Sequence, residues 1–125
     1  VAQNNLGIVY RDGQGATRDY TKAREFFEKA AEKGYGPAST NLGALYEDGY
    51  GVSQDLNKAR TYYERGAELG DALAMKNLGV LYDYGRGVAR DYARARTWYE
   101  KAADLARQAR ALKKINQTLQ PIICN

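Results

Sequence analysis

Histidine is missing altogether, and with it go the commonest general base and the commonest side-chain ligand for transition metals. The single cysteine, Cys124, stands next to the last residue, so neither an internal disulfide nor a cysteine-based zinc site can form. Two serines occur, Ser39 and Ser53, and with no histidine to deprotonate either, conventional catalytic triads are excluded. No apolar run approaches the ~20 residues that span a bilayer, so no transmembrane segment is expected. The leading "VAQNNLGIVYRDG" has neither the apolar core nor the cleavage site of a signal peptide. It also lacks a starting methionine, the pattern of a processed chain or an excised fragment. Carboxylates and lysines remain, but nothing in their spacing singles one out for chemistry. The expectation is a chain that is not an enzyme and uses no metal or cofactor.

What is present is periodic. With 44% apolar and 27% charged residues the composition is that of an ordinary globular domain, and 125 residues fit one domain. Leu6, Leu42 and Leu78 are 36 apart, as are Gly7, Gly43 and Gly79, and Tyr10, Tyr46 and Tyr82. The same interval relates the glycine pairs Gly13 and Gly15, Gly49 and Gly51, and Gly85 and Gly87, then Asp19, Asp55 and Asp91. Ala2, Asn5, Ala23, Arg24, Glu28 and Ala31 recur in the same way, giving twelve identical positions per period. Self-similarity of this length means three tandem units.

Each unit reads as two helices. Ala2, Leu6, Val9 and Tyr10 fall at helical spacing and form one apolar stripe that ends at the glycines. Asp19, Asp55 and Asp91 have the chemistry of N-caps for the second helices, because a carboxylate accepts from open first-turn amides and suits the helix dipole. Behind the cap come Tyr20, Ala23, Phe27, Ala30 and Ala31, with Phe26 beside them, and Gly34 and Gly70 supply left-handed stops. Gly7, Gly43 and Gly79 sit mid-helix, where glycine costs roughly 1 kcal/mol against alanine. A cost repeated three times implies a close approach by the neighbouring helix, with Ala23, Ala59 and Ala95 as expected partners and the aromatics filling the space around them. One helix pair cannot bury both stripes, so the pairs stack as a solenoid.

The order "A-x-x-N-L-G-x-x-Y-x-x-G-x-G-x-x-x-D-x-x-(K/R)-A-R" followed by two aromatics, as in Ala38 to Glu68, resembles the Sel-1-like repeat family, relatives of the tetratricopeptide repeats with a longer loop. The resemblance covers about residues 1–106, with units at 2–37, 38–73 and 74–106, and leaves 107–125 as a basic amphipathic C-terminal helix, cap and tail. It implies an all-α, right-handed α-solenoid of three helix-turn-helix repeats with a C-terminal capping helix. It further implies a scaffold or adaptor that binds a protein or peptide. Ala16 departs from Val52 and Val88, and Ala106 from the closing glycines Gly34 and Gly70.

The Gly-x-Gly loops follow a helix rather than a strand, and the next helix starts four residues on, so they read as reversals with positive φ and not as phosphate loops. In solenoids of this kind the first helix of each pair lines the concave face. The positions offset from its stripe are Asn4, Ile8, Arg11 and Asp12; then Thr40, Ala44, Glu47 and Asp48; then Lys76, Val80, Asp83 and Tyr84. Carboxylates along one edge suit a peptide that carries positive charge. The lysine and asparagine clamp by which some tetratricopeptide domains hold a C-terminal carboxylate is not reproduced. Asn5, Asn41 and Asn77 either meet a ligand or bond between units, the second being favoured. Most tyrosines belong to the packing, leaving Tyr35, Tyr50 and Tyr84 as contact candidates.

Charge is uneven: residues 1–72 carry nine basic and eleven acidic side chains, residues 73–125 ten basic and four acidic. Arg107, Arg110, Lys113 and Lys114 raise the alternative of nucleic-acid or anionic-surface binding. The stripe Leu105, Ala109, Leu112, Ile115 and Leu119 in the same segment favours capping of the last unit instead, so nucleic acid is not expected as the partner. Nothing stops the last helix between Asp91 and Pro121, so it either continues or bends once near Arg107 to fold back, with "QPIICN" frayed or partner-bound. The uncapped N-terminal end and the C-terminal helix are the two places through which copies could associate. A structural arm of a larger enzyme or secretion component is a further alternative.

Overall fold

Glycine and aspartate set the rhythm of the backbone. In the computed structural model, which describes the backbone of residues 1–124 and the side chains of residues 1–120, six helices follow one another. They are α1 (Ala2–Asp12), α2 (Tyr20–Glu32), α3 (Gly36–Asp48), α4 (Leu56–Glu68), α5 (Ala72–Tyr84) and α6 (Tyr92–Cys124). No strand occurs among the described residues. Helices α1, α3 and α5 each end on a glycine in the left-handed region, Gly13, Gly49 and Gly85, with φ of 70°, 70° and 63°. The next helix begins on an aspartate whose Oδ1 accepts from a first-turn amide: Asp19 from Lys22 at 3.1 Å, Asp55 from Lys58 at 3.0 Å, and Asp91 from Arg94 at 3.1 Å. Each cap also ties the loop shut, since the amides of Asp19, Asp55 and Asp91 donate to the carbonyls of Tyr10, Tyr46 and Tyr82 at 2.9, 2.9 and 3.0 Å. Gly34 and Gly70, at φ of 84° and 86°, turn the chain between units as expected.

Consecutive helices pack in order, α1 on α2 through α5 on α6, and α3 also touches α5. The core lies at the joints between units. Ala23 and Phe27 of the first unit meet Leu42 and Leu45 of the second. Tyr46, Ala59, Tyr63 and Ala67 of the second meet Ala74, Leu78 and Leu81 of the third. Leu42 and Leu78 are thereby removed from water, at about 1.5–3 kcal/mol each. Leu6, with no unit on its outer side, is 43% exposed.

The mid-helix glycines do allow a close approach by the neighbouring helix, and the group nearest each of them is the aromatic ring expected beside the alanine rather than the alanine itself. A Cβ on Gly43 would lie 2.6 Å from Tyr63 Cε1, and one on Gly79 2.6 Å from Tyr99 Cε1; Gly7 meets Phe27 in the same way. Ala23, Ala59 and Ala95 are buried in the same helix pairs, and the Ala59 carbonyl lies 3.1 Å from the Cβ position on Gly43. Sequence spacing favoured alanine because small residues were matched to small residues. The structure matches an absent side chain to the ring of a large one.

The capping expectation is not met. With Ala106 in place of a turn glycine, α6 runs unbroken for 33 residues and does not fold back, and every residue from 107 to 120 is exposed. Leu112, Ile115 and Leu119 are 61%, 54% and 42% exposed, so the stripe covers nothing in this chain. The expectation for "QPIICN" falls mostly on Asn125 and the side chains of 121–124, which lie outside the described residues. Among the described residues no helix is long and apolar enough to cross a membrane.

Gly43→Ala should regain about 1 kcal/mol of helix propensity yet lose about 1–3 kcal/mol by overpacking against a buried ring. The expected result is a lower urea midpoint, with the double variant Gly43→Ala/Tyr63→Leu losing less than the sum of the two single changes. Strict additivity in equilibrium unfolding would show that the ring is not what the glycine accommodates.

Candidate partner-binding groove

The ring on the glycine carries a second consequence wherever it is a tyrosine. Tyr63 is buried, and its hydroxyl must find a partner. It donates to Glu47 Oε1 at 2.7 Å, and Asn77 of the next unit lies near the same hydroxyl. Tyr99 donates to Asp83 Oδ2 at 3.3 Å. In the first unit the ring is Phe27, with no hydroxyl, and the position of Glu47 and Asp83 is held by Arg11. Burial first, and then the neighbouring carboxylate, raises the ionisation of Tyr63 and Tyr99 above the ordinary phenol range. Two carboxylates expected on the partner face are thus committed to holding the fold. Glu47 is committed twice, since its Oε2 lies 3.4 Å from Arg86 Nε in the following loop.

Two further members of the expected face are withdrawn from it. Asn4 is 4% exposed and accepts from Asn41 Nδ2 at 3.0 Å. Thr40 is 2% exposed and bonds the Gly36 carbonyl and the Asp71 carboxylate. Both serve packing within and between units, because a first-helix position offset from its stripe still faces a neighbouring helix. The asparagine row forms only in part: Asn41 reaches Asn4 and accepts from Arg11 Nη1 at 3.3 Å, Asn77 lies near the Tyr63 hydroxyl, and Asn5 is exposed. Ile8 packs on the first core cluster, Ala44 and Val80 are half-buried, and Lys76 and Tyr84 are exposed.

Arg11, Asp12, Ala44 and Asp48 do come together. With Arg18, Tyr20, Leu45 and Tyr50 they line an open groove of about 390 Å³ at the joint of the first two units. One wall is rigid: Tyr20 and Tyr50 stack with centroids 5.1 Å apart, and the Arg18 guanidinium lies 5.8 Å over the Tyr20 ring. Arg11 and Asp12 form a two-point pair, at 2.8 Å and 3.1 Å, and the guanidinium holds the Asp12 carboxyl below the usual carboxylate range. Asp48 is exposed and makes no hydrogen bond or ion pair among the described residues, and Tyr50 is 48% exposed. The groove therefore offers an aromatic shelf carrying the Arg18 guanidinium, a neutralised Arg11 and Asp12 pair, and the Asp48 carboxylate. Sequence reasoning missed Tyr20 and Arg18. Tyr20 was absorbed into the apolar stripe of its helix, and Arg18 belongs to a row, Arg18, Gln54 and Arg90, that is not uniform.

Comparison with known proteins comes back to the repeat. The family model described as Sel1 repeat matches residues 1–35, 36–71 and 72–106. A Sel1 repeat protein from Oxalobacter formigenes is similar at 38% identity and a TM-score of 0.77, over 83% of this chain and 42% of that one. A protective antigen present in uropathogenic Escherichia coli strains, displaying an SLR fold, is similar at 40% identity and a TM-score of 0.78, over 82% of this chain and 22% of that one. Helicobacter pylori cysteine rich protein B is similar at 26% identity and a TM-score of 0.69, over 83% and 85%. This chain therefore spans less than half the length of the first two. No curated protein sequence matches it.

Raised tyrosine ionisation has a definite sign for stability. The neutral phenol is favoured in the folded state, so its contribution is complete below the unfolded value of about 10 and is lost as pH rises through the higher folded value. Thermal stability should fall above pH 10, and Tyr63→Phe should make that fall shallower while removing one late-titrating group from the alkaline absorbance titration. An unchanged titration curve for that variant would sink the assignment.

Proposed function

The chain belongs to the Sel1 repeat family, and from that membership we propose that it is a non-catalytic adaptor whose groove between the first and second units receives a segment of a partner protein. Sel1 repeat proteins are in general interaction scaffolds. The observation that carries the reading is the convergence, in one open groove, of the stacked Tyr20 and Tyr50 with the unpaired Asp48. An aromatic shelf beside a free carboxylate suits an extended segment bearing lysine or arginine next to an apolar side chain. The ordering cost on the protein side is small, because the caps and ladder bonds around Asp19 and Tyr10 already fix the loop.

The test is selection from a displayed peptide library against the intact chain, followed by affinity measurement of the recovered peptides. Recovered sequences should be basic and partly apolar. Asp48→Lys and Tyr50→Ala should each weaken them about tenfold or more, equivalent to about 1.4 kcal/mol. Lys113→Gln with Lys114→Gln should leave them unchanged. Binding that survives both groove changes but disappears with the tail charges, and weakens steeply with salt, would replace this reading with binding of an anionic surface by the exposed end of α6.

A further inference from the structure

We propose that the groove between α2 and α4, over Ser39, is a second recognition site, and that it takes the side chain of a lysine presented by a partner protein. It lies at the same joint as the groove of Asp48 and shares no lining residue with it. Its volume is about 320 Å³, with Ser39 and Leu42 of α3 as the floor, Glu28 and Glu32 contributed by α2, and Tyr62 and Arg65 contributed by α4.

The repeat shows why this joint is open. Thirty-six residues on from Ser39 stands Met75, and at the second joint Met75 and Trp98 pack against the core, where Ala67 is 7% exposed. The corresponding residues at the first joint are Ser39, Tyr62 and Ala31, and Ala31 is left half-buried. The first joint therefore lacks the long, unbranched side chain that fills the second. The exchange also strands a polar group: Ser39 is 0% exposed, and its hydroxyl has no hydrogen-bond partner among the described residues. A buried hydroxyl without a partner is costly to keep.

The acidic wall decides the charge of the occupant. Glu28 is half-buried and held only loosely by Arg24, at 3.8 Å, and Glu32 is exposed and makes no ion pair among the described residues. A lysine meets these conditions together. Its aliphatic stem replaces the chain of Met75 against Ala31, Leu42 and the Tyr62 ring, which is steadied by stacking on Tyr46 with centroids 5.6 Å apart. Its ammonium donates to the Ser39 hydroxyl and to the carboxylates above it. A guanidinium fits less well, because it ends in a planar fork where methionine is slender throughout. Arg65, also exposed and without an ion pair among the described residues, is placed to donate to a carbonyl of the partner's backbone. Since Glu32 and Arg65 are both untied, the rim can part to admit the stem as far as the hydroxyl.

The test is titration of the intact chain with Nα-acetyl-lysine methylamide, followed through its backbone amide NMR signals. The amides of Ala31, Ser39 and Leu42 should shift to saturation, and the norleucine analogue, which has the stem without the charge, should bind at least about tenfold more weakly. Ser39→Met copies the residue found in the next unit. It should abolish binding yet keep or raise the urea midpoint, because it removes an unpartnered hydroxyl and fills the joint as Met75 does. Glu28→Gln combined with Glu32→Gln, two changes on the acidic wall, should weaken the lysine about tenfold or more. Asp48→Lys should leave this site unchanged, so the fate of the other groove does not decide this one. The proposal is overturned if no amide shifts, if Ser39→Met binds like the parent, or if norleucine binds as tightly as lysine. Shifts that gather at Asp48 and Tyr50 and spare Ser39 would also overturn it.

Discussion

Each helix pair is held at a separation set by an aromatic ring pressed against a glycine. Nothing larger than hydrogen fits at Gly7, Gly43 or Gly79 while Phe27, Tyr63 or Tyr99 keeps its place. The contact forfeits some helix propensity, and in return the ring loses its water and the helices close around it. The rest follows from that distance. The loop spans the gap with two left-handed glycines, the aspartate cap ties back to the tyrosine carbonyl above it, and the next unit's leucine fills the space beside the ring.

The ring also decides which surface residues are free. A buried hydroxyl needs an acceptor, so a tyrosine at this place recruits the residue sixteen positions earlier, Glu47 for Tyr63 and Asp83 for Tyr99. Phenylalanine makes no such demand, and in the first unit the position is released to Arg11, which pairs with Asp12 and Asn41. The groove that holds the unpaired Asp48 thus lies at the first joint, and the corresponding ground at the second is occupied by the Glu47 and Arg86 pair. One oxygen atom, present in the second and third units and absent from the first, redistributes charge along the solenoid.

The repeat, the six helices, the aspartate caps and the left-handed stops were all legible in the sequence, because each depends on local chemistry repeated three times. The partner of the mid-helix glycine was less legible, since a glycine says only that something comes close. Exposure was the least legible. Asn4 and Thr40 look like surface residues on a single helix and are buried by the neighbouring one, while Tyr20 looks like core and forms a groove wall. The sixteen-residue link between Glu47 and Tyr63 could have been found by asking which residue changes when the ring loses its hydroxyl. The run of α6 was left open because Ala106 removes a stop without supplying a direction.

That unbroken helix fixes a phase as well as a length. At about 1.5 Å and about 100° per residue, the fourteen exposed residues after Ala106 form a rod of roughly 20 Å whose apolar stripe points at a set angle to the groove. A turn would have let that angle drift. Inserting or deleting a single residue just after Ala106 would swing Leu112, Ile115 and Leu119 about a quarter of the way around the axis while leaving the packing of α6 on α5 in place. The direction in which the rod presents its stripe is therefore counted out in residues from the third unit, like the teeth of a gear.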